Sequence, residues 1–167
     1  MKLKIVLSIL SIVACMIISA CSNEKVSYEG PSLNVAVIGD IPDIHNENIQ
    51  FKQISLEAFR TDAQKVSAQY DAVMITPTMF EKASNDQVAA AYERAAVPII
   101  FFDSEKRHLP FVNKGMTYDT ANMASLQNGS HTTVYMPTSA DAWYFSLDSQ
   151  QHVDQLYKEI FERVATL

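Results

Sequence analysis

The sequence predicts a three-layer α/β domain on a mostly parallel sheet of about five or six strands, closed by an amphipathic helix. Three observations predict it. Short, almost continuous apolar runs stand at 33–38, 72–76 and 98–102, the pattern of strands buried on both faces. A helical stretch separates the second run from the third, giving a strand–helix–strand unit whose strands should be parallel and whose crossover should be right-handed. Near the end, Val153, Leu156, Tyr157, Ile160, Phe161 and Val164 recur at the spacing that places one apolar stripe on a helix.

Taken in order, Leu33-Asn34-Val35-Ala36-Val37-Ile38 is the first buried strand, and Gly39-Asp40 ends it. Residues 41–50 are rich in Pro, Asn, Asp and His and predict a loop. Ile54, Leu56 and Ala58 alternate with polar neighbours and predict a half-buried second strand. Thr61-x-x-Gln64 reads as a capping box opening a short helix to about Gln69. The strand Ala72-Val73-Met74-Ile75-Thr76 is stopped by Pro77. A helix is expected from Phe80 to Ala96, with a second capping box at Ser84-x-x-Gln87 as a restart point. Ile99-Ile100-Phe101-Phe102 follows as a strand ending at Asp103-Ser104. Residues 104–130 show no period and are left with three readings: a lid, a protein-binding surface, or short helices around Thr120 to Leu126. Residues 133–136 and 143–147, joined through Pro137 to Asp141, predict an antiparallel hairpin at the sheet edge. Asp148 or Ser149 is the expected cap of the final helix.

Ahead of this domain the chain has a different character. Lys2 and Lys4 precede an uncharged apolar run from Ile5 to Ala20, about the length of a signal-peptide core with its cleavage site and short for a spanning helix. The run ends in Ile18-Ser19-Ala20-Cys21, and Ser22-Asn23-Glu24-Lys25 turns polar at once. Ile18-Ser19-Ala20-Cys21 resembles the lipobox of bacterial lipoprotein precursors. That resemblance implies a signal peptide over residues 1–20, a diacylglyceryl thioether on Cys21, and a protein held at the cell membrane by lipid and facing outward. Two acyl chains anchor stably where one does not, at about 0.8 kcal/mol per buried CH₂. A rival box, Ile12-Val13-Ala14-Cys15, would leave the apolar Met16-Ile17-Ile18 at the new terminus, so Cys21 is preferred. An uncleaved anchor helix is the alternative. Residues 21–32 then form a tether with a root-mean-square span of about 18 Å for the part after Cys21, and 33–167 a single domain.

Removing the first 20 of the 167 residues takes away two of the thirteen basic residues and none of the nineteen acidic ones, leaving a net charge of about −8 on 147 residues. That length suits one domain. The charge argues against nucleic acid and against adhesion to anionic lipid, so the partner expected is membrane lipid through the acylated Cys21. No cysteine follows Cys21, which excludes disulfides, thiolate metal sites and a cysteine nucleophile within the domain.

Tyr70-Asp71-Ala72-Val73-Met74-Ile75-Thr76-Pro77, a helix, and then Val97-Pro98-Ile99-Ile100-Phe101-Phe102-Asp103 resemble one lobe of sugar-binding periplasmic proteins and also receiver and flavodoxin-like domains. The whole chain is similar to small lipoproteins of Bacillus-type bacteria, a likeness that brings no functional residues with it. In such sheets ligands bind beyond the carboxyl ends of the strands, here Gly39-Asp40, Thr76-Pro77-Thr78 and Asp103-Ser104-Glu105. There is no G-x-G-x-x-G, no P-loop and no G-x-S-x-G, and Thr76-Pro77 stands where a receiver needs its phosphorylated Asp. No cofactor is expected.

Asp40, Asp43 and His45 are the candidate metal ligands, because carboxylates and an imidazole in one loop can converge on a cation; turn-capping is the plainer role. The Gly39-Asp40-x-x-Asp43 string is similar to one metallophosphatase motif, whose companion motifs are absent. Asp40, Asp103 and His108 are the catalytic candidates, with His108 as a general base or else a solvated histidine in a charged run. His131 and His152 read as structural or solvated, and Trp143 and Tyr144 as core or as the floor of a pocket. Three functions follow: a non-catalytic binding or interaction domain on a lipid anchor, a metal-dependent hydrolase using the loop after the first strand, or a single-lobe solute-binding protein.

Overall fold

The strands are β1 (Leu33–Ile38), β2 (Ile49–Gln53), β3 (Ala72–Ile75), β4 (Ile99–Phe102), β5 (Ser130–Met136) and β6 (Asp141–Ser146) in the computed structural model, which describes residues 26–121, 130–147 and 152–167. They form one sheet in the order β2–β1–β3–β4–β5–β6. β2, β1, β3 and β4 run parallel, and β5 and β6 close the sheet as an antiparallel hairpin. The fold expected from the sequence, α/β with a mostly parallel sheet and an antiparallel end, is the one observed.

Alternation along β1 sends side chains to two cores. Ala36 and Ile38 join Val73, Ile75, Ile99 and Phe101 on one face. Leu33, Val35 and Val37 join Met74, Ile100 and Val134 on the other. The first face is covered by five short helices: α1 (Leu56–Thr61), α2 (Ala63–Ser67), α3 (Phe80–Ala83), α4 (Asp86–Tyr92) and α5 (Leu109–Val112). The second is covered by α6 (Val153–Val164), which buries Leu156, Ile160, Phe161 and Val164 of the expected stripe, while Tyr157 is half-buried and Val153 is exposed.

Several local expectations are corrected. The second strand lies at Ile49–Gln53, partly within the stretch expected to be loop, and Ile54, Leu56 and Ala58 do not form it. Ser55 caps a helix there by accepting from the Ala58 amide at 3.1 Å, and Ala58 is exposed, so its apolar alternation had no buried face behind it. The box at Thr61 is displaced by one residue: Asp62 caps α2, accepting from the Lys65 amide at 2.9 Å. The single helix expected over 80–96 breaks at Ser84, whose hydroxyl accepts from the Tyr118 amide at 2.7 Å. Asn85 then caps α4 by accepting from the Gln87 and Val88 amides. His152, not Asp148 or Ser149, precedes α6; the latter two lie outside the described residues.

Two segments belong to the folded unit more fully than the sequence suggested. Tyr28 is buried in the second core with its ring 6.2 Å from that of Phe161, and its hydroxyl donates to Pro31 O at 2.8 Å. Asn46 Nδ2 donates to Ser27 Oγ at 2.8 Å and to Tyr28 O at 2.9 Å. A Cβ on Gly30 would strike the Tyr28 ring, so only glycine lets the chain pass here. Residues 27–32, expected as tether, are therefore docked on the domain. Of the stretch 104–130, residues 104–121 are described, and Phe111 is fully buried with its ring stacked on Phe101 at 4.2 Å. That segment is part of the first core rather than a lid over it. The expected helices near Thr120 to Leu126 fall mostly outside the described residues.

Candidate functional site

The chain reverses its direction of winding at β1, where an open α/β sheet ordinarily offers a crevice between β1 and β3. Here the crevice is closed. Gly39 has φ +113, and a Cβ there would collide with Thr76 Oγ1. Thr76 is buried, its amide donates to Ile38 O at 3.1 Å, and Gln53 Nε2 donates to Gly39 O at 2.6 Å. Asp40 stands exposed at this rim.

The carboxyl end of β4 holds a second group of polar residues. Asp103 and Arg107 both sit at φ +57, a conformation costing a non-glycine residue about 1–3 kcal/mol. The surroundings hold them there. The Asp103 amide donates to Thr132 Oγ1 at 3.3 Å, and Ser104 Oγ donates to Arg107 O at 3.1 Å. The Asp103 carboxylate lies 3.5 Å from His131 Nε2, and His131 Nδ1 is 2.9 Å from Thr132 Oγ1. His108 is buried rather than solvated, with its ring stacked on Tyr135 at 5.0 Å. Burial, and secondarily the Arg107 charge, push its pKa down to about 4, so it is neutral near pH 7. The Arg107 guanidinium covers the Tyr144 ring at 4.4 Å. His108 Nδ1, Arg107 Nε and Thr133 Oγ1 are buried without hydrogen-bond partners. The Asp103–His131 pair can accept or pass a proton. However, the hydroxyl beside it belongs to Thr132, which is fully buried and cannot meet a substrate.

The third region is an open recess of about 210 Å³ between residues 43–49, α6 and the incoming chain at Val26, Ser27 and Tyr28. His45 Nε2 and Asp43 Oδ1 are 3.1 Å apart with side chains 88% and 94% exposed. From α6 come Asp154, Tyr157 and Lys158. Burial raises the Tyr157 pKa, and the charges of Asp103, Asp154 and Asp43 raise it further. Asp43 and His45 thus come together as the loop spacing suggested, whereas Asp103 pairs with His131. Among the described residues no three His, Cys, Asp or Glu side chains gather into a group able to hold a metal ion. Sequence reading missed Asp154, Tyr157 and Lys158 because they share a helix with the core stripe. It missed Tyr28 because a polar neighbourhood masked it, although a lone aromatic in a tether was a signal.

No family model matches the chain, and neither curated proteins nor solved structures yield a match. Among the described residues, no helix is long and apolar enough to cross a membrane.

Proposed function

We propose that this chain is an extracytoplasmic lipoprotein, held at the membrane by acyl chains on Cys21, whose domain binds a partner rather than catalysing a reaction. The observation that carries the reading is Ile18-Ser19-Ala20-Cys21, set between an uncharged apolar run and a polar segment. Its support in the fold is that Ser27 and Tyr28, a few residues after Cys21 in the chain, are docked on the domain. The non-catalytic part is supported by the histidines. His108 is enclosed, His131 neighbours a buried hydroxyl, and His45 shares an exposed site with one carboxylate.

Radiolabelled palmitate is expected to enter the wild type and Cys15→Ala but not Cys21→Ala. Labelling that depended on Cys15 would move the anchor and overturn the reading. A stoichiometric divalent ion on the purified protein, lost on Asp43→Ala, would replace the binding role with that of a metal-dependent hydrolase.

A further inference from the structure

We infer that the recess between α6 and residues 43–49 takes the phospho-ammonium headgroup of a lipid in the leaflet that holds the anchor. The inference rests on the lipoprotein reading above. Its first ground is distance. From Cys21 to Ser27 the chain reaches at most about 21 Å even when fully extended, and Ser27 is pinned by Asn46 at 2.8 Å. A domain of this size is roughly 35 Å across. The anchored side therefore cannot turn away from the bilayer. Val26, Ser27 and Tyr28 line the recess itself, so the recess stays within about 21 Å of Cys21 and within reach of the headgroups.

Its second ground is chemistry. Asp43 and Asp154 line the recess together with Tyr157, Tyr28 and Phe161. Carboxylates beside aromatic rings favour an organic ammonium. Lys158, 3.9 Å from Glu162, and His45, 3.1 Å from Asp43, stand in the same lining and can turn from those exposed partners to a phosphate. A purely anionic headgroup could meet Lys158 but would leave the two carboxylates facing an anion, on an acidic domain.

The test uses the protein as isolated from the membrane of cells expressing the whole chain, reconstituted into vesicles of phosphatidylglycerol alone or mixed with phosphatidylethanolamine. Amide hydrogen exchange is followed at residues 44–46 and 154–158. Exchange should slow about tenfold when phosphatidylethanolamine is present and return to the faster rate in Asp43→Asn/Asp154→Asn. Both aspartates are exposed, so the variant keeps the fold. Equal exchange in the two vesicle types, or protection that survives the double substitution, overturns the proposal. So does equal protection by soluble glycerophosphoethanolamine at the same bulk concentration, which would assign the site to a free solute. The mass of Cys21 in the same preparation is read separately. An unacylated Cys21 sinks the lipoprotein reading, whereas an acylated Cys21 without headgroup dependence sinks only this inference.

Discussion

The carboxyl end of β4 and the recess beside α6 carry similar residue types and treat them in opposite ways. Around His108 an imidazole, a guanidinium nitrogen and a threonine hydroxyl are enclosed among Tyr135 and Tyr144 and left without partners. Around Tyr157 an imidazole, an ammonium and two carboxylates stand open to solvent, and the closest pair is 3.1 Å apart. Enclosure turns polar groups into costs that the fold must carry. Openness leaves them nearly neutral for stability and available for a ligand. The most enclosed histidine is therefore the weaker functional candidate, and the ordinary-looking surface of α6 the stronger.

The largest way to break the enclosed region is at its packing. Phe111→Ala removes a fully buried ring stacked on Phe101 and should cost about 3–5 kcal/mol in urea unfolding. A loss below about 1 kcal/mol would mean that residues 104–121 lie loosely on the sheet.

A pH series tests the enclosure of His108 itself. The folded imidazole titrates near pH 4 against an ordinary value of 6.5. Between those values the unfolded chain binds the extra proton. Stability is thus complete above about pH 6.5 and falls toward pH 4, by up to ~3 kcal/mol from this residue. His108→Phe keeps a ring against Tyr135 and should lose that part of the slope in urea titrations across the window. An unchanged slope would assign the acid sensitivity to other groups.

The smallest effect is expected at the recess. Asp43→Asn removes one side of an exposed ion pair and should shift stability by less than about 0.5 kcal/mol in the same unfolding assay. A larger loss would make the pair structural and weaken the contrast between the two regions.

Some of this was readable from the chain alone. The runs at 72–76 and 98–102 had no polar face, so they could only be buried strands, and the α6 stripe had a width that only a helix uses. The second strand was misplaced because Ile54, Leu56 and Ala58 imitate a period of two while Ser55 sets a helix cap. β2 itself is an edge strand with Ile49 as its one buried residue, which leaves little apolar signal to read. The candidate site was half legible: Asp43 and His45 are near in sequence and meet, but their neighbours Asp154 and Lys158 come from the other end of the chain.

The sequence by itself determined the fold class, the acidic charge, the absence of thiols after Cys21 and the uncharged apolar run that ends at Ile18-Ser19-Ala20-Cys21, because composition and local periodicity need no partner to be expressed. Only the tertiary structure decided that Tyr28 docks on Phe161, that His108 is enclosed, and that two carboxylates and a lysine line one recess with Ser27 and Tyr28. Those outcomes depend on which segments pack together, and burial and charge proximity are properties of that packing rather than of any residue's neighbours in the chain.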